Sequence, residues 1–293
     1  MTTSVNDANR WQAPQINYIY EAASAKPEES ERLDELHNGI TAYLGGLLPS
    51  PLASGDTKKI LELGSGSGAW AIQAAREFPN AEVLAVDLNP LPTRSKPLPR
   101  NLTFLRADLT KALPFEKGAF DIVHARFVLM HLAHGDDVFR KCFDLVRPGG
   151  WLVVEEPDSG AMADGGQDPP PDAAEFLGMF METMHSRDAD PTLGKRMEQI
   201  LKNSGLFDVI NVKRLRIPVS GKSNDPDENA FGRVFKQTLI LTATATAERL
   251  VAQGLTEAKA SATKYIQLVK EASIEIAPTA MAPVFIMFNF ALL

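Results

Sequence analysis

The run Glu62-Leu63-Gly64-Ser65-Gly66-Ser67-Gly68 constrains this chain more than any other feature. It follows a short apolar stretch, Lys59 to Leu63, and leads into an apolar helical pattern with Trp70, Ile72, Ala74, Ala75 and Phe78. Alternating glycines at a strand-to-helix turn let a ligand approach the backbone where a larger side chain would block it. Further strand patterns follow at Glu82 to Val86, Asn101 to Leu105, Phe120 to His124 and Gly150 to Glu155. Strands alternating with helices predict an α/β domain with a parallel sheet covered on both faces. Residues 89–100 carry Pro90, Pro92, Pro97 and Pro99, which predicts an irregular crossover in place of a helix.

Two cofactor classes use such a turn. Gly64, Gly66 and Ala69 can be fitted to the dinucleotide pattern G-x-G-x-x-G/A, so the glycines alone do not decide. The acids do. Glu62 precedes the first glycine by two residues, and Gly68 extends the alternation. Asp87 ends the second strand, where a carboxylate can accept from both hydroxyls of a ribose. Asp108 follows the third strand, where it can accept from an adenine amino group. A third acid has no standard role in a dinucleotide site. The set 62, 64, 66, 68, 87 and 108 points to S-adenosylmethionine (SAM).

These motifs, with Ala107-Asp108-Leu109, Phe120-Asp-Ile-Val-His-Ala-Arg126 and Leu145-Val-Arg-Pro-Gly-Gly-Trp-Leu152, resemble those of class I SAM-dependent methyltransferases across about residues 58–156. Gly68-Ala-Trp70, Asp87-Leu-Asn-Pro90, His124-Ala-Arg126 and Glu31-Arg-Leu-Asp-Glu-Leu-His37 resemble a narrower group, the methyltransferase-like proteins of fungal secondary metabolism. The resemblance implies a doubly wound, Rossmann-like sheet of seven strands, the last antiparallel. Val209 to Val219 and Val284 to Phe290 fit the final pair. It divides the chain into an N-terminal helical cap (1–57), a SAM-binding core (58–221), a helical insertion completing the cap (222–282) and a final core strand (283–293). It implies cofactor contacts at Glu62, Gly64, Ser65, Gly66, Gly68, Trp70, Asp87, Leu88, Asp108, Leu109, Ala125 and Arg126. S-adenosylhomocysteine (SAH) would be the product. It also leaves open a regulator that acts through partner proteins, and a SAM-binding enzyme of non-methylating chemistry such as a pericyclase.

The acceptor side is less marked. Tyr18, Tyr20, Met179, Phe180 and Phe235 are the candidates for a substrate pocket, and His131, His185 and Glu156 for a base. A base is needed only where the acceptor is a hydroxyl or a protonated amine. His131 and His134 have helical i, i+3 spacing without a third ligand nearby, so no metal is expected. The 293 residues are 44% hydrophobic and 23% charged, a composition that excludes wholesale disorder. The net charge of −7 provides no field for a nucleic-acid backbone, which directs the search to a small-molecule acceptor. Cys142 stands alone, so no intrachain disulfide forms. Polar residues 1–9 and a longest apolar run of only Pro283 to Leu293 predict a cytoplasmic chain without a membrane span; a homodimer is compatible with it.

Overall fold

A computed structural model describes residues 27–48, 57–157, 170–214, 217, 219, 221–271 and 281–284. Five parallel strands form the sheet: β1 (Lys59–Leu63), β2 (Glu82–Asp87), β3 (Leu102–Arg106), β4 (Phe120–Arg126) and β5 (Val146–Pro157). A short strand, β6 (Met281–Val284), pairs antiparallel with the end of β5, giving the order β3-β2-β1-β4-β5-β6. The order reverses direction between β1 and β4. In open α/β sheets that reversal leaves a crevice beyond the carboxyl ends of the strands, where ligands bind.

The central strands read as almost continuous apolar runs because helices cover both faces. On one face α2 (Ala69–Glu77) packs Trp70, Ala71, Ala74 and Ala75 against Ile60, Val83, Ala85 and Ile122. On the other, α3 (Gly135–Leu145) and α5 (Leu193–Ser204) bury Phe139, Phe143, Met197 and Ile200 against Leu61, Leu63, Val123 and Val154. A third cluster stands apart from the sheet. It joins α1 (Pro27–Leu44), α4 (Pro171–His185), α6 (Pro226–Ala252) and α7 (Ala258–Lys270) through Leu36, Ile40, Phe176, Phe180, Phe231, Phe235 and Tyr265.

Several expectations change. The seven-stranded sheet is not formed among the described residues. Residues 209–214, read as part of a strand, form no strand among the described residues; Ile210 and Val212 lean on the sheet core, while Val209 turns to solvent. Residues 285–290, most of the expected last strand, lie outside the described residues. Residues 171–204 form two helices, α4 and α5, because the chain breaks at 186–192, where Asp188 has a left-handed φ of 56°. Pro170 is the N-cap of α4. α4 packs with α1, α6 and α7. The proline-rich residues 89–100 form no helix, as expected from the sequence.

Candidate functional site

The carboxyl ends of β1, β2 and β4 open into a cleft of about 1360 Å³ roofed by α1, α4 and α6. Its floor begins at the glycine loop. Gly64 has φ 70°, and a Cβ there would stand 2.3 Å from Val128 Cγ2, so no larger residue fits. Asp87 fixes the next turn of the loop. Its Oδ2 accepts from Gly66 N–H at 2.8 Å and its Oδ1 from Asn89 N–H at 2.9 Å. Burial outweighs these bonds and raises the carboxyl above its ordinary value. Asp108 Oδ1 accepts from the Thr110 N–H and hydroxyl, which holds that carboxyl at the cleft edge.

Glu62 is 4% exposed, with Oε2 lacking a protein partner among the described residues. Burial pushes it up to about 8, against the pull of Arg126 and of the Ala71 N–H in the first turn of α2. A buried carboxylate oxygen with no donor is costly unless a ligand supplies one. Register places Glu62 beside His124, and Arg126 beside Glu155. These four side chains form a buried polar layer. Arg126 pairs with Glu155 through two bonds, Nη2 to Oε1 at 2.8 Å and Nε to Oε2. Burial alone would raise Glu155, but Arg126 and His124 hold it at about 2. His124 lies between Glu155 (3.6 Å) and Glu62 (3.8 Å) and stacks on Trp70, with ring centroids 3.7 Å apart. Burial lowers it to about 4, so the imidazole is neutral at physiological pH.

The roof brings in residues that the sequence did not mark as part of the site. His37 of α1 accepts at Nδ1 from Arg126 Nη1 (3.1 Å), which leaves Nε2–H to donate to Gln73 Oε1 (2.7 Å). Phe127 leaves β4 with a left-handed φ of 54° and turns its ring edge-on to Phe235, centroids 6.4 Å apart. A bulky residue at positive φ costs about 1–3 kcal/mol, and such strain collects at functional sites. Arg187 is 8% exposed and lines the same cleft, as do Met130, Phe176 and Tyr265.

The candidates named from sequence divide clearly. Glu62, Gly64, Ser65, Gly66, Trp70, Asp87, Leu88, Asp108, Leu109, Arg126, His131, Phe180 and Phe235 line the cleft. Gly68 and Ala125 lie behind that wall, Gly68 capping α2 and Ala125 in the sheet core. Glu156 is fully buried and not part of the wall. Its Oε1 accepts from the Val128 (2.9 Å) and Leu129 (2.6 Å) N–H groups, so it caps the turn after β4 and is no base for a substrate. His185, at the end of α4, is exposed and outside the cleft. Met179 is one position, about 100° around the helix, from Phe180 and misses the wall. Tyr18 and Tyr20 lie outside the described residues. Among the described residues no cluster of three His, Cys, Asp or Glu is placed to hold a metal, and no helix is long and apolar enough to cross a membrane.

A methyltransferase-domain family model matches residues 61–154, the span from β1 through most of β5. Methyltransferase str3 of Strobilurus tenacellus is 44% identical over 209 residues, covering 71% of this chain and 74% of the relative. The chain belongs to the class I SAM-dependent methyltransferases. Its place is in the fungal secondary-metabolism group of that family. Methyltransferase str2 of the same fungus is 38% identical over 229 residues, covering 78% and 82%. A phosphoethanolamine N-methyltransferase 2 of Haemonchus contortus, solved with phosphomonomethylethanolamine and SAH, has the same fold at a TM-score of 0.52 and 16% identity. That alignment covers 90% of this chain, which spans 57% of the solved structure. The cleft of this methyltransferase fits its cofactor. The glycine loop admits close approach, Glu62 Oε2 lacks a donor, and acids stand at the ends of β1 and β2 and after β3.

Proposed function

We propose that this methyltransferase moves the methyl group of SAM to an oxygen or nitrogen of a small, largely apolar metabolite. The observation that carries this reading is the second half of the cleft. Beyond Arg126 its walls carry Phe127, Met130, Phe176, Leu177, Phe180, Phe235, Leu239 and Tyr265, with Arg32, His131, Ser186, Arg187, Asp188, Thr238, Thr242, Thr244 and Glu248 as polar points among them. A wall built mainly of aromatic and aliphatic side chains, with polar groups placed among them, suits a largely apolar acceptor, and the chain's negative charge disfavours nucleic acid.

Bound beside the glycine loop, SAM supplies an activated sulfonium methyl, so the hard chemistry belongs to the cofactor. The protein's residues bind, orient and dry the site. In this reading Glu62, Asp87 and Asp108 accept hydrogen bonds from the cofactor, and Gly64 and Gly66 give it room. Ser65, Trp70, Leu88, Leu109 and Arg126 complete that half of the cleft. Phe180 and Phe235 hold the acceptor from the far side. Alignment of the acceptor atom can account for roughly 7–11 kcal/mol of the barrier.

His131 is the one base candidate of the three that lines the cleft. Burial, then the Arg187 and Arg32 guanidiniums, lower it to about 3. Its role is to orient an acceptor hydroxyl or amine through a neutral imidazole, since so weak a base does not remove a proton from an alcohol. The test is incubation with methyl-labelled SAM and an extract of fungal metabolites. Label in a small apolar product is expected. Label in tRNA or DNA, with none in any small molecule, would refute the proposal.

A further inference from the structure

Arg94 lies in the proline-rich connection between β2 and β3 and reaches two other elements at once. Its guanidinium forks onto Asp34 of α1, Nη2 to Oδ1 at 2.9 Å and Nη1 to Oδ2. Nη2 also donates to the Ser67 carbonyl, inside the glycine loop. Apolar contacts close at the same place. A Cβ on Gly66 would stand 3.2 Å from Leu33 of α1, and one on Gly68 2.7 Å from Leu91 of the connection. One turn beyond Asp34, His37 meets Arg126. The opposite side of α1 holds the acceptor half: Arg32 Nη1 donates to Thr238 Oγ1 of α6 at 2.8 Å, and the Tyr43 hydroxyl to Glu228 at 3.0 Å.

We propose that Arg94 is a positioning residue for methyl transfer, setting α1 in register with the cofactor loop so that the acceptor wall is placed against a correctly shaped cofactor site. It acts through Asp34 and Ser67 rather than on the reacting atoms, and it rests on reading the glycine loop as the SAM site. Three acceptors in this arrangement need a planar group with several N–H donors. A lysine ammonium, a point charge on a flexible stem, does not serve all three. Burial alone would raise the Asp34 carboxyl; the Arg94 bond, with help from the Ser67 side chain, outweighs it and leaves Asp34 below its ordinary value. The side chains of Arg94 and Asp34 are 23% and 31% exposed, so removing either leaves no bare charge sealed in the core.

The experiment uses the full chain with SAH as probe. R94A should bind SAH about tenfold more weakly, the loss expected for charge-assisted bonds. R94K should recover less than half of that on a logarithmic scale, and D34A with R94A should be no weaker than R94A alone. In the native chain, SAH should slow amide hydrogen exchange across residues 27–44, and R94A should lose that protection. Its ligand-free Tm should change by no more than about 4 °C. A merely stabilising Arg94 would lower Tm and leave the SAH-dependent protection intact, which would overturn the proposal. SAH affinity unchanged in R94A, or fully restored in R94K, would also overturn it. A native chain with no affinity for SAH would overturn the cofactor reading and this proposal with it.

Discussion

The two halves of the cleft are built by different means. The half proposed for the cofactor comes from one continuous stretch, β1 to β4, and its parts are fixed by the backbone: positive-φ glycines, strand ends in register and a carboxylate tied to a loop N–H. The acceptor half comes from α1, α4, α6 and α7, and its essential parts are side chains from segments up to about two hundred residues apart. Backbone chemistry leaves a fixed spacing in the sequence. Side-chain walls do not, because any large apolar residue on the right face will serve. The first kind of site tolerates little change, while the second can be altered for a new acceptor without loss of the fold.

The sharpest way to break that comparison is at Gly64. G64A places a Cβ 2.3 Å from Val128 and forces alanine into φ 70°. Strain and overpacking together should cost about 2–6 kcal/mol and abolish measurable SAH binding by calorimetry. Near-normal binding would mean that the loop is not the rigid backbone cradle described above. Next comes D87A, which removes the acceptors for Gly66 and Asn89 N–H and should cost roughly 1.5–3 kcal/mol. SAH affinity should fall at least tenfold with the circular dichroism spectrum preserved; unchanged affinity would remove Asp87 from the site.

Legibility followed the same division. Glu62, Gly64, Gly66, Asp87 and Asp108 were readable because they sit at fixed offsets from strand ends, and all line the cleft. Phe180 and Phe235 were readable as apolar residues on helices, but Met179 was not separable from Phe180, since one residue of rotation decides which faces inward. Glu156 and His185 carry base chemistry in their side chains, yet partners and exposure exclude them, and no sequence pattern contains either. His37 was visible only as the end of the Glu31–His37 motif and Arg94 not at all, because their partners, Arg126 and Asp34, lie 89 and 60 residues away. A signal for them existed in retrospect: Asp34 and His37 share one helical face at i, i+3, an unusual pair for a helix packed on a core. Residues 209–214 form no strand among the described residues, because alternation also serves a segment that merely leans on a sheet.

F180L tests the acceptor half with a smaller expected effect. Phe180 is 4% exposed, and trimming its buried ring to an isobutyl group costs about 1–2 kcal/mol of stability. SAH affinity should stay within about twofold, while the KM for any acceptor found in the labelling experiment should rise by roughly three- to tenfold. An equal loss in SAH affinity would show the two halves to be one unit.

The smallest effect is expected where the halves join. Glu156 caps the turn between β4 and the acceptor wall, and burial pushes its carboxyl up to about 8, above an ordinary value of 4.5. From about pH 4.5 to 8 the folded chain therefore holds a proton that the unfolded chain has released, and stability falls as pH rises through that window. Glu62, also at about 8, adds a second such proton. Buried His37 and His124 at about 4, and His131 at about 3, act oppositely: below pH 6.5 the unfolded chain takes up protons that the folded chain refuses. The ligand-free protein should be most stable near pH 6.5, with each alkaline proton worth up to about 1.4 kcal/mol per pH unit. E156Q keeps an amide oxygen for the Val128 and Leu129 N–H groups and has no proton to lose. Urea midpoints measured from pH 5 to 8.5 at constant ionic strength should show the alkaline slope halved and the acid slope steepened, with SAH affinity at pH 6.5 unchanged. The slope that remains in E156Q belongs to Glu62, so SAH should alter it. An alkaline limb identical to that of the native chain would mean that Glu156 is ionised in the folded protein and that the turn joining the two halves is held by a charge.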